Sequence, residues 1–153
     1  MKLQDKLILE QLDHKTESYR ILTTARVPEQ GWIKTVRTAM NISLRQIAAR
    51  LGITPASVKE MEIRESEKTI TLKKLEEAAN AMGCKLVYGF VPMKGTFSDI
   101  VEKQARKIAA EIVMRTAHTM ELESQGNTEE RLKKAIEERT KKIMYERPRY
   151  LWD

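Results

Sequence analysis

The stretch SLRQIAARLGITPASVKEME, residues 43–62, decides the fold. Its apolar residues recur at helical spacing on both sides of Gly52, which indicates two short helices joined by a sharp turn. Gly52 tolerates the left-handed backbone that ends the first helix, and Ala48 is small enough for the second helix to cross closely. The spacing therefore predicts a helix-turn-helix motif. The apolar side chains expected between its helices are Leu44, Ile47, Leu51, Ile53, Val58 and Met61.

Both helices of the motif carry their own start signals. Ser43 is a predicted N-cap, and Gln46 follows three residues later, in the position of a capping box. Thr54 is a second predicted N-cap, and Pro55 occupies the first helical position, where a missing N–H costs nothing. Gln46 thus has two interpretations, as a capping residue or as a phosphate contact.

The pattern changes period between Gly83 and Pro92. In residues 85–91, KLVYGFV, the side chains alternate as in a β-strand. A single strand leaves its backbone donors and acceptors without partners, and no second strand lies nearby in sequence. We therefore expect the same strand of a second subunit to be the partner, which makes the protein a homodimer. The residues assigned to this dimer strand are Leu86, Val87, Tyr88, Phe90 and Val91.

Helical periodicity continues on both sides of these segments. The sequence predicts a mainly α fold in which the helix-turn-helix is followed by one short strand and a C-terminal helical extension. The helices predicted outside the motif cover residues 3–22, 32–40, 72–82, 97–123 and 128–147. Three parts follow from this pattern: an N-terminal helix with its linker (1–30), the helix-turn-helix domain ending in the strand (31–92) and the C-terminal extension (93–153).

Composition sets the broad class of the protein. Of its 153 residues, 41% are hydrophobic and 33% charged, which is enough apolar material for a packed core. No apolar run approaches the roughly 18 residues of a membrane span, and the start lacks a secretory signal, so we expect a cytoplasmic protein at the bacterial nucleoid. Cys84 has no disulfide partner and lies far in sequence from His14 and His118, so we expect no metal site. As a small hydrophobic residue between Gly83 and the predicted strand, Cys84 is expected to be buried.

No pattern in the chain indicates an enzyme. It has no glycine-rich phosphate loop, no nucleophile beside a suitable histidine and no clustered carboxylates outside solvated helix faces. His118 lies near Glu121 and Glu123, an arrangement more typical of a helix surface than of a catalytic site. The sequence therefore predicts neither catalytic activity nor a cofactor.

The positive charge is concentrated in one part of the chain. Residues 1–96 hold 16 Lys and Arg against 11 Asp and Glu, whereas residues 97–153 hold 12 against 11. Within residues 20–50, six basic residues stand against a single acid, Glu29. A local positive patch on an otherwise balanced protein is typical of contact with a polyanion. The six are Arg20, Arg26, Lys34, Arg37, Arg45 and Arg50.

The motif and the patch together predict that the second helix enters the major groove of double-stranded DNA. Ser57 is the expected polar contact, Lys59 reaches guanine or a phosphate, and the Ala56 methyl fits a thymine methyl. Thr54 is either a contact or a cap alone, and Glu60 is either a cytosine contact or a solvated charge. The predicted DNA-binding residues are Arg45, Gln46, Thr54, Ala56, Ser57, Lys59, Glu60 and Arg64.

Residues 31–82 resemble the helix-turn-helix of phage-repressor-like (XRE/Cro) transcription factors. In that family an arginine of the first helix pairs with a glutamate at the end of the reader helix, and Arg37 and Glu62 match those positions. The resemblance implies a structural ion pair rather than a DNA contact. The sequence departs from the family at Pro55 and Ala56, where phage repressors commonly carry glutamines, so we expect no strong adenine readout there and more reliance on DNA shape.

Five segments extend a resemblance over nearly the whole chain: WIKTVRTAMNISLRQIAARLGI, EMEIRES, ITLKKLEEAANAMGCKLVYGFVP, TMELESQ and PRYLWD. They are similar to the family called mobile mystery protein A, helix-turn-helix proteins typically encoded beside a partner with a Fic domain. The resemblance implies an autorepressor that binds an inverted repeat as a homodimer and is an antitoxin-like partner of the Fic-domain protein. The alternative is an antitoxin that neutralises its partner by direct binding, with DNA binding secondary.

Two features of the C-terminal extension have alternative roles. Residues 119–124, TMELES, approach the Ser/Thr-x-x-x-Glu-Gly/Asn pattern by which helices silence Fic-type enzymes, but end in Ser, so inhibition through Glu123 is the minor alternative. The terminal aromatic cluster is expected to dock on the first helix, with partner binding as the other interpretation. Its members are Tyr145, Tyr150, Leu151 and Trp152.

Overall fold

The computed structural model describes residues 3–122 and 128–153, and this part of the chain is mainly helical, as the sequence predicts. Its α-helices are α1 (Leu3–Glu17), α2 (Trp32–Ala39), α3 (Leu44–Leu51), α4 (Pro55–Ser66), α5 (Leu72–Ala81), α6 (Phe97–Leu122) and α7 (Glu129–Glu146). Short 3-10 helices cover Arg20–Thr24 and Arg149–Trp152. None of the helices described is both long and apolar enough to cross a membrane.

The chain folds into two compact units. The motif unit is Ile21–Gly89, and the hairpin unit combines Met1–Arg20 with Phe90–Asp153. These limits differ from the predicted ones, because α1 belongs with the C-terminal helices instead of forming a separate N-terminal part.

The motif unit has a core of large apolar side chains contributed by α2 to α5. Ala48 is buried at the crossing of α3 and α4, where a larger side chain would hold the helices apart. Leu44 and Leu51 are half-buried against this core, whereas Ile53 is 38% exposed and lies outside it, contrary to expectation. The buried apolar residues are Ile33, Ile47, Ala48, Val58, Met61, Ala78 and Met82.

The hairpin unit packs α6 along α7 around small residues. Ala105 and Ala109 are fully buried on α6 and lie in one cluster with Ile143 of α7. Small side chains allow two helices to approach closely. Glu123 and Ser124, with which the predicted long helix and the Fic-like inhibitory pattern end, lie outside the described residues.

A carboxylate of α1 closes the N-terminus of α6. The oxygens of Asp13 accept hydrogen bonds from the backbone N–H of Phe97 at 2.7 Å and from the hydroxyl of Ser98 at 2.8 Å. An acid at a helix N-terminus satisfies orphan donors and complements the helix dipole. This contact joins residues 84 positions apart and explains why α1 packs in the hairpin unit.

The C-terminal aromatic cluster docks mainly on α6, and the expectation of docking on α1 is corrected. Leu151 is buried against Ala105 and Ala109, and its carbonyl accepts a 2.7 Å hydrogen bond from the Gln104 amide. The three aromatic members of the cluster are exposed. The apolar leucine therefore provides the anchor. The exposed aromatic residues are Tyr145, Tyr150 and Trp152.

The β-strand predicted for residues 85–91 is not confirmed, since no residue of the described ranges is in a strand. The physical reason is that a strand requires hydrogen bonds to a neighbouring strand, and a single chain offers none here. Val87, Tyr88 and Phe90 are exposed, and Leu86 and Val91 are half-buried. Cys84, expected to be buried, is exposed as well.

Candidate nucleic-acid interface

The turn between α3 and α4 is built from local hydrogen bonds. The Ser43 hydroxyl accepts from the backbone N–H of Gln46 at 3.1 Å, and the Gln46 side-chain oxygen accepts from the Ser43 N–H at 2.8 Å. Gly52 ends α3 with a φ of 67°, a conformation that strains any side chain with a Cβ. Thr54 caps α4 by accepting from the Ser57 N–H. These contacts together set the direction in which α4, the second helix of the motif and its expected reader helix, leaves the turn.

A buried ion pair connects α2 to the reader helix. The Arg37 Nε donates to Glu62 Oε1 at 2.5 Å, and a second guanidinium nitrogen donates to the Ile42 carbonyl at 3.0 Å. The two side chains are 12% and 6% exposed, so neither is available to DNA. Glu62 is therefore placed as a structural anion rather than as a reading residue.

Glu65 provides a second link between the same helices, which sequence reasoning missed. Its two carboxylate oxygens accept the backbone N–H groups of Trp32 and Ile33 at 2.7 and 2.8 Å. Gly31 precedes α2 with a φ of 83° and offers no capping side chain, so a residue 33 positions away supplies the cap. The absence of a local cap at Gly31 was the only sequence signal for this contact.

Arg45 and Lys59 are exposed cations of the motif. Arg45 lies in the first turn of α3 and Lys59 in the second turn of α4. Within the described residues neither makes a hydrogen bond or ion pair, so both charges remain available to an external anion. Their placement agrees with the chemistry expected of phosphate or guanine contacts.

The other predicted contacts already have partners in the protein. The Ser57 hydroxyl shares a 2.8 Å hydrogen bond with the Thr54 hydroxyl, and Glu60 forms a 2.7 Å ion pair with Arg64. Both groups are reached by solvent, and a hydroxyl or carboxylate oxygen can accept a further hydrogen bond. Ala56 is exposed and presents only a methyl group. The reading surface of α4 is thus largely neutral except at Lys59.

Lys74 extends the surface beyond the predicted set. It lies in the first turn of α5, and its backbone N–H donates to the hydroxyl of the N-cap Thr71. Together with Ser57 and Arg64 it lines a recess of about 180 Å³. A lysine beside the reader helix adds positive charge where a phosphate chain would pass. The threonine cap followed by Lys73 and Lys74 is the signal that could have indicated it.

Three of the six basic residues in the predicted patch bind within the protein. Arg37 is in the buried ion pair, Arg50 donates to the Ala81 carbonyl at 2.9 Å, and Arg20, in the hairpin unit, donates to the Gly95 carbonyl. Of these three, only Arg37 is withdrawn from the positive surface, because Arg20 and Arg50 remain exposed and a neutral carbonyl leaves the guanidinium charge in place.

Comparison with known proteins agrees with this geometry in the motif unit. A family model described as helix-turn-helix matches residues 33–88, a span that includes α3, α4 and α5 and nearly all of α2. Comparisons with curated proteins and with solved structures gave no match. Residues 33–88 are therefore an XRE-type helix-turn-helix domain, which points to a DNA-binding regulator.

Proposed function

We propose that the protein is a sequence-specific DNA-binding regulator that represses its own operon. The observation that carries the proposal is the pair of unpartnered cations, Arg45 and Lys59, on the exposed surface of a helix-turn-helix domain. Cations that lack partners within the described residues bind phosphates without first breaking an internal ion pair. Because the surface around Ser57 is largely neutral, we expect Arg45 and Lys59 to give modest readout of base edges, supported by recognition of DNA shape.

The test is binding of the purified protein to the DNA upstream of its own gene, in competition with scrambled DNA and at several salt concentrations. The double variant Arg45→Ala/Lys59→Ala should weaken specific binding by about 1–3 kcal/mol and lower the salt slope by about 0.9 for each phosphate that it no longer neutralises. The control is Lys103→Ala/Lys107→Ala, which removes the same charge from exposed sites on α6. Equal weakening by both variants would contradict the assignment.

The proposal includes a homodimer on an inverted repeat. Two reader helices then lie in successive major grooves about 34–36 Å apart. Support comes from residues 85–91, whose backbone groups make no hydrogen bond within the described chain. Sedimentation at micromolar concentration should give a dimer, and inserting half a helical turn between the half-sites should abolish tight binding. A purely monomeric protein would contradict this part of the proposal.

A second candidate function, direct binding and neutralisation of a Fic-domain partner, is favoured by a groove in the hairpin unit. Its volume is about 370 Å³, and its lining combines apolar residues such as Val113 and Leu132 with three cations and one acid. The charged residues are Arg131, Arg139, Lys142 and Glu138. The buried Arg139 Nε has no hydrogen-bond partner, an arrangement that costs free energy until an acceptor arrives. An acidic side chain of a partner segment would accept a hydrogen bond from Arg139, and apolar side chains of the same segment would cover the apolar lining of the groove.

If a Fic-domain protein is encoded beside this one, as the resemblance implies, mixing the two proteins separates the two candidates. If direct neutralisation is the function, Arg45→Ala/Lys59→Ala still inhibits the partner, whereas Arg139→Ala lowers the affinity of the complex. The control is Arg106→Ala, an exposed arginine of α6 that pairs with Glu102. Absence of a complex with the unaltered protein would exclude this candidate.

A further inference from the structure

An apolar groove opens on the motif unit, and neither Arg45 nor Lys59 lines it. Its volume is about 380 Å³, and its walls come from residues 22–27, from α2, from α5 and from residues 84–87. Trp32, Leu75 and Ala79 form one part of the wall, and Leu86 and Val87 form another. A hydrophobic groove of this size on an exposed surface is typical of a site that binds something in the working protein.

The segment that borders the groove is largely exposed, and its backbone pairs with no other described segment. Residues 85–91 donate and accept no hydrogen bonds within the described chain, and Tyr88 in their middle is 65% exposed. A small apolar molecule would fill the groove but would leave these N–H and C=O groups without protein partners. An extended peptide provides both, since its backbone pairs with the segment and its side chains reach the groove.

We infer that the groove receives the apolar side chains of residues 85–91 from a second copy of this chain, with Tyr88 as the largest of them. The inference rests on the homodimer proposed above and names where its contact lies. In a two-fold antiparallel pair, each residue faces a residue of the partner about 4.5–5.5 Å away. The residues opposite Leu86 and Val87 then lie over the groove that these two side chains line. Each copy is both occupant and wall, as a two-fold interface requires.

This contact would also support the reader helix. Trp32 is 48% exposed and lines the groove, and its backbone N–H is held by Glu65 of α4. Covering Trp32 therefore orders the end of α2 to which the reader helix is bound. Dimer formation and DNA binding are coupled in this arrangement, and loss of the first weakens the second.

Cys84, the only cysteine of the chain, lines the groove and is exposed, so it reports on the occupant. The experiment measures the rate at which a maleimide dye labels Cys84 of the intact protein while sedimentation follows the dimer. At concentrations where the dimer forms, labelling should slow about tenfold relative to dilute protein, because a covered thiol reacts only after dissociation. Tyr88→Ala should raise the dimer dissociation constant and restore fast labelling.

A matched control and a covalent test complete the design. Tyr145→Ala removes an exposed tyrosine of α7 and should change neither the dimer nor the labelling rate. In the Cys84→Ser background, Tyr88→Cys should give a disulfide-linked dimer on mild oxidation, because a two-fold antiparallel pair of residues 85–91 brings residue 88 of each copy opposite its counterpart. A dimer in which Cys84 reacts as fast as in dilute protein overturns the groove contact and leaves the homodimer standing. A monomer at all concentrations overturns both.

Discussion

The motif unit and the hairpin unit hold their helices together by different means. In the motif unit a buried ion pair and a carboxylate cap fix α2 against α4, inside a core of large side chains. In the hairpin unit, α6 and α7 meet at fully buried alanines, and one long-range carboxylate, Asp13, caps α6. The stability of the motif unit therefore depends on buried charges, whose removal lowers the free energy of unfolding. The stability of the hairpin unit depends on small side chains, because larger ones would push α6 and α7 apart.

The largest effect is expected at the buried ion pair. Glu62→Ala leaves the guanidinium of Arg37 buried without its anion, and we expect a loss of about 3–5 kcal/mol in the free energy of unfolding, measured by urea denaturation. The matched control is Glu60→Ala, which breaks the exposed pair with Arg64 and should cost about 0.3–0.5 kcal/mol. Similar losses in the two variants would show that the buried pair does not distinguish the motif unit.

Added volume tests the hairpin unit. Ala109→Leu inserts a large side chain between α6 and α7 and should cost about 1–3 kcal/mol, because the surrounding helices must move apart. Ala49→Leu makes the same substitution at an exposed position of α3 and should be nearly neutral. If Ala109→Leu is tolerated as well as Ala49→Leu, the two helices are not in the close contact that defines this unit.

A smaller loss is expected from the remote cap of α2. Glu65→Ala removes the acceptor for the Trp32 and Ile33 N–H groups, and we expect a loss of about 0.5–2 kcal/mol in thermal or urea unfolding. Glu65→Gln keeps an acceptor oxygen and should lose less. Glu67→Ala changes an exposed glutamate at the end of α4 and is the control. A loss no greater than that of the control would show that Glu65 does not stabilise the N-terminus of α2.

The smallest effect concerns an exposed cap in the hairpin unit. The backbone N–H and the side chain of Thr96 form hydrogen bonds with Asp99 that hold the pKa of this carboxyl below its ordinary value. The ionised form thus favours the folded state above the unfolded pKa, and this contribution disappears as the pH falls through the lower folded pKa. The stability difference between the unaltered protein and Asp99→Asn should therefore shrink on acidification below about pH 4. A difference independent of pH would contradict this origin.

Local features of the motif could be predicted from the sequence because they join residues three or four positions apart. The capping box of Ser43 and Gln46, the Thr54 cap and the left-handed Gly52 all lie where the sequence places them. The same holds for Thr128, which caps α7 by accepting from the Arg131 N–H. These contacts form from the helical backbone alone, so residue type and spacing are sufficient to indicate them.

The candidate site could be predicted only in part. Exposure of Arg45 and Lys59 follows from their positions outside the apolar stripe of each helix. The sequence by itself could not indicate that Arg37 turns inward, because the Glu62 carboxylate that it binds is brought near only by the packed helices. Exposed charge is therefore poorly estimated from a count of basic residues.

By itself the sequence determined the helices, the caps formed by neighbouring residues and the helix-turn-helix, since each depends on contacts within one or two turns of chain. Tertiary structure decided the rest: that Glu65 caps a helix 33 residues before it, that Asp13 caps one 84 residues after it, and that α1 joins the C-terminal helices. A carboxylate can accept from any helix N-terminus in the protein, and only the path of the folded chain selects one. Residues 85–91 belong to the same class, because the strand predicted there requires a hydrogen-bonded neighbour that no other described segment supplies.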